Sequence, residues 1–335
     1  MSAQKVILVT GGAGYIGSHT VRLLADKKYP IVVIDNLVYG HEQAIVNPEA
    51  ILENGNIGDA AFLDQLFRKY SVEAVLHFAA FTYVGESVAE PSKYYHNNLS
   101  APIVLLDAMV KYNCRYIIFS STCATYGNPQ YIPIDEKHPQ DPINPYGQSK
   151  YMLEKVIKDY EKAYGLKYVF LRYFNASGAA EDGRTGEDHT PETHLIPLIL
   201  EVALGIRKHI TVFGTDYDTP DGSCIRDYIH VSDLAEAHRL ALDYLQKGNP
   251  SIACNLGTGR GYSVKEVIQL SEEVTGKKIT VEYGERREGD PPRLIAAPAY
   301  AKQTLGWEAS YKDLKEIIRT AWAWHNNANK GRYRK

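Results

Sequence analysis

The chain has 335 residues, 44% of them hydrophobic, and a formal net charge of -3 at pH 7. This length suggests about two domains with a sizeable core, and the small negative charge argues against a general nucleic-acid binder. No apolar run approaches the ~20 residues of a membrane span, and the chain opens directly into a strand rather than a secretory signal. The four cysteines are scattered without metal spacing, which predicts a reduced, cytoplasmic protein.

Short apolar runs alternate with helical stretches through the first half of the chain. The predicted strands are Lys5–Thr10, 31–34, a weak 51–52, 74–78, 115–119 and Lys167–Tyr173. The predicted helices are one that begins near Gly14, then 59–70, roughly 91–112, and Pro145–Tyr164. This alternation predicts an α/β fold with a Rossmann-type doubly wound parallel sheet.

After Asn175 the regular alternation of strands and helices ends. Residues 177–190 are rich in Gly, Asp and Glu and predict a loop, and short strands then mix with helices at 194–204, 231–245, 263–275 and 311–324. We expect a first domain of residues 1–175, rejoined by part of 226–262, and a smaller mixed α/β second domain of residues 176–335. The second domain would lie over the carboxyl edge of the sheet, where ligands of such sheets bind.

A glycine-rich loop follows the first predicted strand and opens a helix. Gly11, Gly14 and Gly17 have the spacing Gly-x-x-Gly-x-x-Gly, and the amides and dipole of a helix that begins there suit a pyrophosphate. Asp35 ends the second predicted strand, where its carboxylate would bind a ribose diol and repel a 2′-phosphate. The pattern therefore predicts NAD rather than NADP as cofactor.

Tyr146 and Lys150 stand four residues apart on a predicted helix, with Asn144 as its cap and Pro145 at its first position. Residues at this spacing project from one face. A free tyrosine titrates near pH ~10, and a cation held close stabilises the phenolate and lowers that pKa. Together with the dinucleotide loop, the pair predicts removal of a hydride and a proton from one carbon of an alcohol.

Several motifs carry a resemblance to known enzymes. The loop 10–17, the segment Ser120-Ser121-Thr122 and the Tyr146 and Lys150 pair resemble the extended short-chain dehydrogenase/reductase superfamily. Segments 84–87 (VGES), 172–175 (RYFN), 226–230 (RDYIH) and 286–290 (RREGD) resemble, more particularly, the UDP-galactose (UDP-glucose) 4-epimerase family. The resemblance covers the chain from Val6 to about His325.

This resemblance implies reversible epimerisation at C4 of UDP-galactose and UDP-glucose, through a transient 4-keto sugar and a tightly bound NAD. It also implies a place in galactose metabolism (the Leloir pathway), a homodimer, and weaker activity on UDP-N-acetyl sugars. In the family pattern Tyr146 is the base, Lys150 tunes it and binds the nicotinamide ribose, and Thr122 bonds the sugar 4-oxygen. Nucleic acid and membranes are not expected partners.

The resemblance also assigns residues to the two ligands. The cofactor residues it implies are Gly11, Gly14, Tyr15, Ile16, Gly17, Asp35, Asn36, Asn56, Ile57, Phe78, Ala79, Asn98, Tyr146, Lys150 and Phe174. The substrate residues it implies are Thr122, Tyr146, Asn175, His194, Leu195, Phe213, Arg226, Tyr228, Arg287, Asp290 and Leu294. Among these, Arg226 and Arg287 would hold the phosphates, Phe213 the uracil and Asp290 the ribose hydroxyls.

The chain departs from the better-known family pattern at four positions. Asn56 stands where an aspartate often contacts adenine, Thr82 where a lysine often touches the cofactor diphosphate, and His194 where some members have asparagine. Leu294 occupies a position often held by tyrosine or a smaller residue. Because that position gates the sugar 2-substituent in the family, we expect Leu294 to tolerate an N-acetyl group poorly.

Two other functions are weighed against epimerisation. A nucleotide-sugar 4,6-dehydratase would have an aspartate and a glutamate where this chain has Cys123 and Ala124. A non-catalytic NAD-sensing protein would lack the tyrosine or the lysine.

A metal site is weighed as well. Glu187, Asp188, His189, Glu192 and His194 are metal-ligating residue types, but their spacing matches no standard site. We therefore expect a solvated loop and no metal.

Overall fold

The computed structural model describes residues 4–287 and 290–333. The strands are β1 (Lys5–Thr10), β2 (Ile31–Asp35), β3 (Ile51–Asn54), β4 (Ser71–His77), β5 (Tyr116–Thr122), β6 (Lys167–Tyr173), β7 (Asn175–Ser177), β8 (Ile210–Phe213), β9 (Ile225–Arg226), β10 (Tyr228–His230), β11 (Ile252–Leu256), β12 (Tyr262–Ser263), β13 (Val281–Gly284) and β14 (Arg293–Leu294). The α-helices are α1 (Tyr15–Asp26), α2 (Ala60–Lys69), α3 (Val84–Ala89), α4 (Pro91–Tyr95), α5 (Ala101–Lys111), α6 (Pro145–Tyr164), α7 (Leu195–Ala203), α8 (Val231–Gln246), α9 (Val264–Thr275), α10 (Ala299–Leu305) and α11 (Leu314–His325).

Within these ranges a central sheet of seven parallel strands runs in the order β11-β6-β5-β4-β1-β2-β3. Its inner strands β1 and β2 are buried along almost their whole length because helices cover both faces of the sheet. Val9 of β1 packs with Leu24 of α1 and Leu234 of α8 on one face, and Leu8 packs with Leu153 of α6 on the other. The predicted Rossmann-type doubly wound sheet is confirmed.

The strand order reverses between β1 and β4, which are hydrogen-bonded neighbours. In open parallel sheets a crevice forms at such a point, outside the carboxyl ends of the strands. The glycine loop after β1 and residues 78–79 after β4 therefore lie side by side at this crevice.

One strand of the central sheet was missed by the sequence analysis. β11 pairs in parallel with β6, with Ile252 opposite Val169 and Leu256 opposite Tyr173. Its five residues, IACNL, include an asparagine and give no clear strand pattern. Only the long-range pairing with β6 makes this segment a strand.

The predicted helix at 91–112 is interrupted. Between α4 and α5 lies a π-helical turn, His96–Ser100. Pro102 has no N–H to donate to the carbonyl of Asn98, so the regular α-helical bonding pattern cannot run through this point. The turn buries Asn98, one of the implied cofactor residues.

The smaller strands surround a second core. β12, β9 and β14 form one sheet, and β13 with β8 and β10 with β7 form two pairs. The core between α7, α9 and α11 contains Leu200, Val267 and Ile318. None of the described helices is long and apolar enough to cross a membrane.

Candidate active site

The glycine loop joins β1 to α1 in a form that requires small residues. Gly11 has φ +70°, and a Cβ there would lie 2.6 Å from the backbone nitrogen of Ala79. A Cβ at Gly17 would lie 2.2 Å from the carbonyl oxygen of Gly11. The N-terminus of α1, which the structure describes in full, has neither a capping side chain nor an acidic residue in its first turn. Its first amides are therefore suited to a pyrophosphate, and the loop fits a dinucleotide.

Asp35 is buried beside this loop at the end of β2. Its Oδ2 accepts from the backbone N–H of Ala13 at 3.0 Å, and its Oδ1 accepts from that of Leu37 at 2.9 Å. Burial raises the pKa of Asp35, while these two hydrogen bonds act in the opposite direction. The two amides fix the orientation of the carboxylate beside the glycine loop.

Other implied cofactor residues lie at the carboxyl ends of the strands. Asn98 Oδ1 accepts from the N–H of Phe81 at 2.8 Å, and its Nδ2 donates to Ser149 Oγ at 3.3 Å. Asn56 Oδ1 accepts from the N–H of Gly58 at 2.8 Å, so it shapes its own turn. Ile57 and Phe174 are buried, and Ile16 packs on the core. Asn36 Oδ1 accepts from the N–H of Val38, and the Tyr15 hydroxyl donates to the carbonyl of Gly178. The Phe78 ring packs on His238, and Ala79 donates its N–H to the carbonyl of Thr10.

α6 begins as predicted. Asn144 Oδ1 accepts from the N–H of Gly147 at 2.8 Å, and Pro145 is the first helical residue. Tyr146 and Lys150 are both buried in the first turns. Lys150 Nζ donates to the carbonyl oxygen of Ser120 at 2.9 Å, which places the ammonium against the end of β5.

Thr122 ends β5 beside Tyr146. Its Oγ1 accepts from the N–H of Ala124 at 3.1 Å. A hydrogen bond with Thr122 lowers the pKa of Tyr146, but burial, the largest effect, raises that pKa well above its ordinary value. Burial lowers the pKa of Lys150 to about 7, against the attraction of Glu154. The expectation that the Tyr146 pKa lies below its ordinary value is therefore wrong for the protein without its cofactor, because burial outweighs the other effects on this phenol.

A buried ion pair behind the site was missed by the sequence analysis. Glu154 Oε2 lies 2.6 Å from Arg172 Nη2, with the two side chains 0% and 4% exposed. Ser121 Oγ donates to Glu154 Oε1 at 2.6 Å, and Arg172 Nη1 donates to the Tyr126 hydroxyl at 3.0 Å. The sequence already places Glu154 near the site, since it lies four residues after Lys150 on the same helical face. The pair fixes α6 against β5 and β6.

The implied substrate residues gather around β9 and β14. Leu294 lies opposite Arg226 in the parallel register of these strands. The guanidinium of Arg226 forms an ion pair with Asp290, and Leu294 packs against a buried cluster that contains Phe174. The structure thus brings together three residues that the resemblance assigns to different parts of the substrate.

Two further implied substrate residues meet on β8. The guanidinium of Arg287 lies 4.0 Å from the centroid of the Phe213 ring, a stacking geometry that suits a planar ligand. Asn175 Nδ2 donates to the carbonyl of Asp227 at 3.3 Å, and Tyr228 is buried. His194 occupies the N-cap position of α7 without a capping side-chain hydrogen bond, and Leu195 begins the helix. Glu288 and Gly289 of the segment 286–290 lie outside the described residues.

The expectation of a solvated loop at residues 187–194 holds for Thr190, Pro191 and Thr193, which are exposed, but is wrong for its first two residues. Glu187 and Asp188 are buried, at 3% and 7% exposure. The indole N–H of Trp324 donates to the carbonyl of Glu187 at 2.9 Å, and Arg332 Nη1 lies 2.6 Å from Asp188 Oδ1. Residues far along the chain cover this loop, and local composition does not show such cover.

Comparisons with known proteins give a consistent result. Residues 7–257 match the model of the NAD dependent epimerase/dehydratase family. The chain is 52% identical to a UDP-glucose 4-epimerase from Streptococcus mutans over 97% of its own length and 98% of that protein.

Solved structures agree. A UDP-glucose 4-epimerase from Bifidobacterium longum in complex with NAD+ and UDP matches with a TM-score of 0.93 and 38% identity, covering 98% of this chain and 100% of that one. A UDP-Glc/GlcNAc 4-epimerase from Campylobacter jejuni matches with a TM-score of 0.85 and 41% identity, covering 96% and 99%.

Proposed function

The chain belongs to the NAD dependent epimerase/dehydratase family, and on that premise we propose that it interconverts UDP-galactose and UDP-glucose by inverting C4 of the hexose, with NAD as its cofactor. The observation that carries this conclusion is the grouping of Tyr146, Thr122 and Lys150 at the carboxyl end of β5, next to a loop that fits a dinucleotide. This reaction belongs to galactose metabolism.

The side chains divide the proton chemistry between them. Tyr146 takes the proton from the sugar 4-hydroxyl and later gives it back, and Thr122, at the end of β5, holds the 4-oxygen beside the phenol. NAD, held by the glycine loop and Asp35, would supply reversible hydride transfer at C4. Burial raises the pKa of Tyr146, and a positive charge beside the phenol would act in the opposite direction.

Lys150 orients this pair. Its ammonium has three donors, and one of them is committed to the carbonyl of Ser120. We assign the other two to the Tyr146 oxygen and the nicotinamide ribose. Glu154 lies on the same face of α6 and attracts the ammonium, which opposes the effect of burial on the Lys150 pKa.

Different groups of residues would hold different parts of NAD. Gly11, Gly14 and Gly17 with the amides of Tyr15 and Ile16 would hold the pyrophosphate, and Asp35 and Asn36 the adenosine ribose. Asn56 and Ile57 would contact the adenine, and Phe78, Ala79, Asn98 and Phe174 the rest of the cofactor. The fixed carboxylate of Asp35 supports NAD over NADP.

The substrate residues follow the grouping around β8 and β9. Phe213 and Arg287 would hold the uracil and a phosphate, since their stacked pair presents a flat surface beside a positive charge. Arg226 would bind the diphosphate while Asp290, its ion-pair partner, holds the guanidinium and reaches the ribose. Asn175, His194, Leu195 and Tyr228 complete the proposed diphosphate site, and Leu294 faces the sugar.

Two organisational proposals accompany this function. Residues 1–175 and part of 226–262 form the NAD-binding domain and residues 176–335 the UDP-sugar-binding domain, which the pairing of β11 with β6 supports. The protein works as a homodimer in the cytoplasm, as its family resemblance implies. Light scattering of the purified protein checks the dimer.

The function is tested by one assay. Purified protein is incubated with UDP-galactose and no added nucleotide, and UDP-glucose is measured by chromatography. We expect UDP-glucose to accumulate to an equilibrium reached equally from either sugar. Formation of a 4-keto-6-deoxy sugar would instead indicate the dehydratase, although Cys123 and Ala124 offer no acid or base pair for water elimination, since burial raises the pKa of the Cys123 thiol to about 12.

A further inference from the structure

Four side chains of the segment that leads into α7 converge on one point. They are Glu187, His189, Glu192 and His194, and their ligand atoms all lie within 4.8 Å of one another. We refer to these four residues as the 187–194 cluster. Glu187 is 3% exposed, so the cluster is built around a buried carboxylate.

The separations in the cluster are those of converging ligands. Glu187 Oε1 lies 2.7 Å from His194 Nδ1 and 3.2 Å from His189 Nδ1. Glu192 Oε1 and His194 Nδ1 form a hydrogen bond of 3.0 Å, and Glu192 Oε2 lies 3.8 Å from His189 Nδ1. Nitrogen and oxygen ligands about 2.0–2.2 Å from a tetrahedral zinc ion lie roughly 3.4 Å apart, and these four separations lie around that value.

Hydrogen bonding does not account for the whole arrangement. Among the described residues, Glu187 Oε1 and His189 Nδ1 are buried atoms without a hydrogen-bond partner. Their approaches to each other and to His194 are short but lack hydrogen-bond geometry. Glu187 Oε1 lies at ion-pair distance from both imidazoles, yet a buried oxygen without a hydrogen bond calls for a further partner, which is a water, an ion or another ligand.

The surroundings hold the ligands in place. Glu192 Oε1 accepts from the backbone N–H of Thr193 at 2.7 Å and of His194 at 2.8 Å. The rings of Tyr15 and Tyr83 stand edge-on to His189 at 6.3 and 6.2 Å between centroids. Such outer contacts fix ligand orientation in metal sites.

A route to the cluster also exists. A cavity of about 360 Å³ is lined by Glu187, His189, Glu192, Glu201 and His325. An ion can therefore reach the ligands without unfolding of the loop, which a metal site requires.

We propose that Glu187, His189, Glu192 and His194 bind one divalent transition-metal ion, with zinc as the best match. Two imidazole nitrogens and two carboxylate oxygens suit zinc, and four protein ligands make the site structural rather than catalytic. The charge of the ion balances the two buried carboxylates. This replaces the expectation from sequence that the segment binds no metal.

The ion would fix the start of α7. His194 occupies the N-cap position of this helix and Leu195 begins it, so the metal would tie the loop to the segment assigned above to the diphosphate site. That consequence rests on the proposed function, but metal binding itself does not.

The test measures metal directly. Protein produced without an affinity tag is stripped of metal with EDTA, dialysed, and titrated with zinc chloride in a calorimeter. After gel filtration, the zinc content of the titrated protein is measured by mass spectrometry. We expect about one zinc per chain, and a tetrahedral absorption spectrum when cobalt replaces zinc. Glu187→Gln combined with His189→Gln should lose this zinc.

The matched control is His209→Gln. His209 also forms a histidine–carboxylate pair, 3.2 Å from Glu282 Oε2, but stands outside the cluster, so this variant should keep its zinc. Absence of zinc binding by the wild type at micromolar concentrations would overturn the proposal whether or not the variants fold. The proposal would also be overturned if the double variant, shown by circular dichroism to be folded, contained as much zinc as the wild type. Neither outcome depends on turnover of UDP-galactose, so failure here leaves the proposed function separately testable.

Discussion

Lys150 Nζ donates a hydrogen bond to the carbonyl oxygen of Ser120 at 2.9 Å, which ties the face of α6 that carries Tyr146 to the end of β5 that carries Thr122. One backbone contact therefore sets the relative position of all three side chains assigned to the proton transfer. Behind it, the buried pair of Glu154 and Arg172 holds the same helix and strands together.

Tyr146→Phe should lower turnover by ~100 to 10,000-fold, the usual worth of a positioned proton transfer. Phenylalanine keeps the shape of the buried side chain and removes only the hydroxyl, so the affinity for UDP should hardly change. Turnover is measured by coupled assay and UDP affinity by calorimetry. Tyr164→Phe, at the exposed end of α6, is the control. More than about a tenth of wild-type turnover in the Tyr146 variant would remove this residue as the base.

NAD should copurify with the protein, and Asp35→Asn should reduce the amount retained. The variant keeps the size of the side chain but places an amide where two backbone N–H groups now meet a carboxylate. The measurement is enzymatic assay of nicotinamide nucleotide in the supernatant of denatured protein. Asp64→Asn, which alters a surface ion pair with Arg68, should retain as much NAD as wild type. NADP in the supernatant, or no nucleotide and no stimulation by NAD, contradicts this prediction.

Arg226→Ala and Arg287→Ala should each weaken UDP binding more than tenfold, which corresponds to about 1.4 kcal/mol. The first variant leaves Asp290 without its ion-pair partner and so adds repulsion of the diphosphate. The second removes the cation stacked on Phe213. Calorimetric titration with UDP gives the affinities, and Arg319→Ala, whose guanidinium pairs with Glu181, is the control. Unchanged affinity in both variants would place these arginines outside the phosphate site.

Leu294 should set the tolerance for a 2-acetamido group. It is partly buried against the cluster that contains Phe174 and is intermediate in size between cysteine and tyrosine. We expect slow turnover of UDP-N-acetylglucosamine by the wild type, since a small steric misfit costs ~1–3 kcal/mol. Leu294→Tyr should abolish that activity and preserve the interconversion of UDP-galactose and UDP-glucose, which serves as the internal control. N-acetyl turnover that survives in the variant, or is missing from the wild type, shows that the gate lies elsewhere.

Stability should fall as pH drops from about 6.5 toward 4. Burial lowers the pKa of His19 and His238 to about 4 and that of His77 and His230 to about 3. Below the ordinary value of ~6.5 the unfolded chain binds protons that the native chain excludes, so each histidine costs about 1.4 kcal/mol of unfolding free energy per pH unit in this range.

Urea unfolding at pH 7 and pH 5 measures this effect. His238→Asn should reduce the loss of unfolding free energy between the two pH values by the contribution of one histidine, because asparagine at position 238 does not titrate. His96→Asn, at an exposed position, should leave the loss unchanged. An equal loss in wild type and the His238 variant would show that this ring takes up its proton without cost.

The sequence by itself determined the features that depend on neighbours along the chain. The spacing of Gly11, Gly14 and Gly17 specifies a tight strand-to-helix turn, and the cap at Asn144 and Pro145 specifies where α6 begins. The spacing of Tyr146 and Lys150 then puts both on one face. These are local effects of backbone sterics and helical period, so they can be read without knowing the fold.

Only the tertiary structure decided the features that depend on distant partners. β11 is a strand because β6 pairs with it, and Glu187 and Asp188 are buried because Trp324 and Arg332 cover them. The raised pKa of Tyr146 has the same origin, since burial by surrounding elements outweighs its nearest polar neighbours. Desolvation and long-range pairing are set by what packs against a residue, and local sequence does not contain that information.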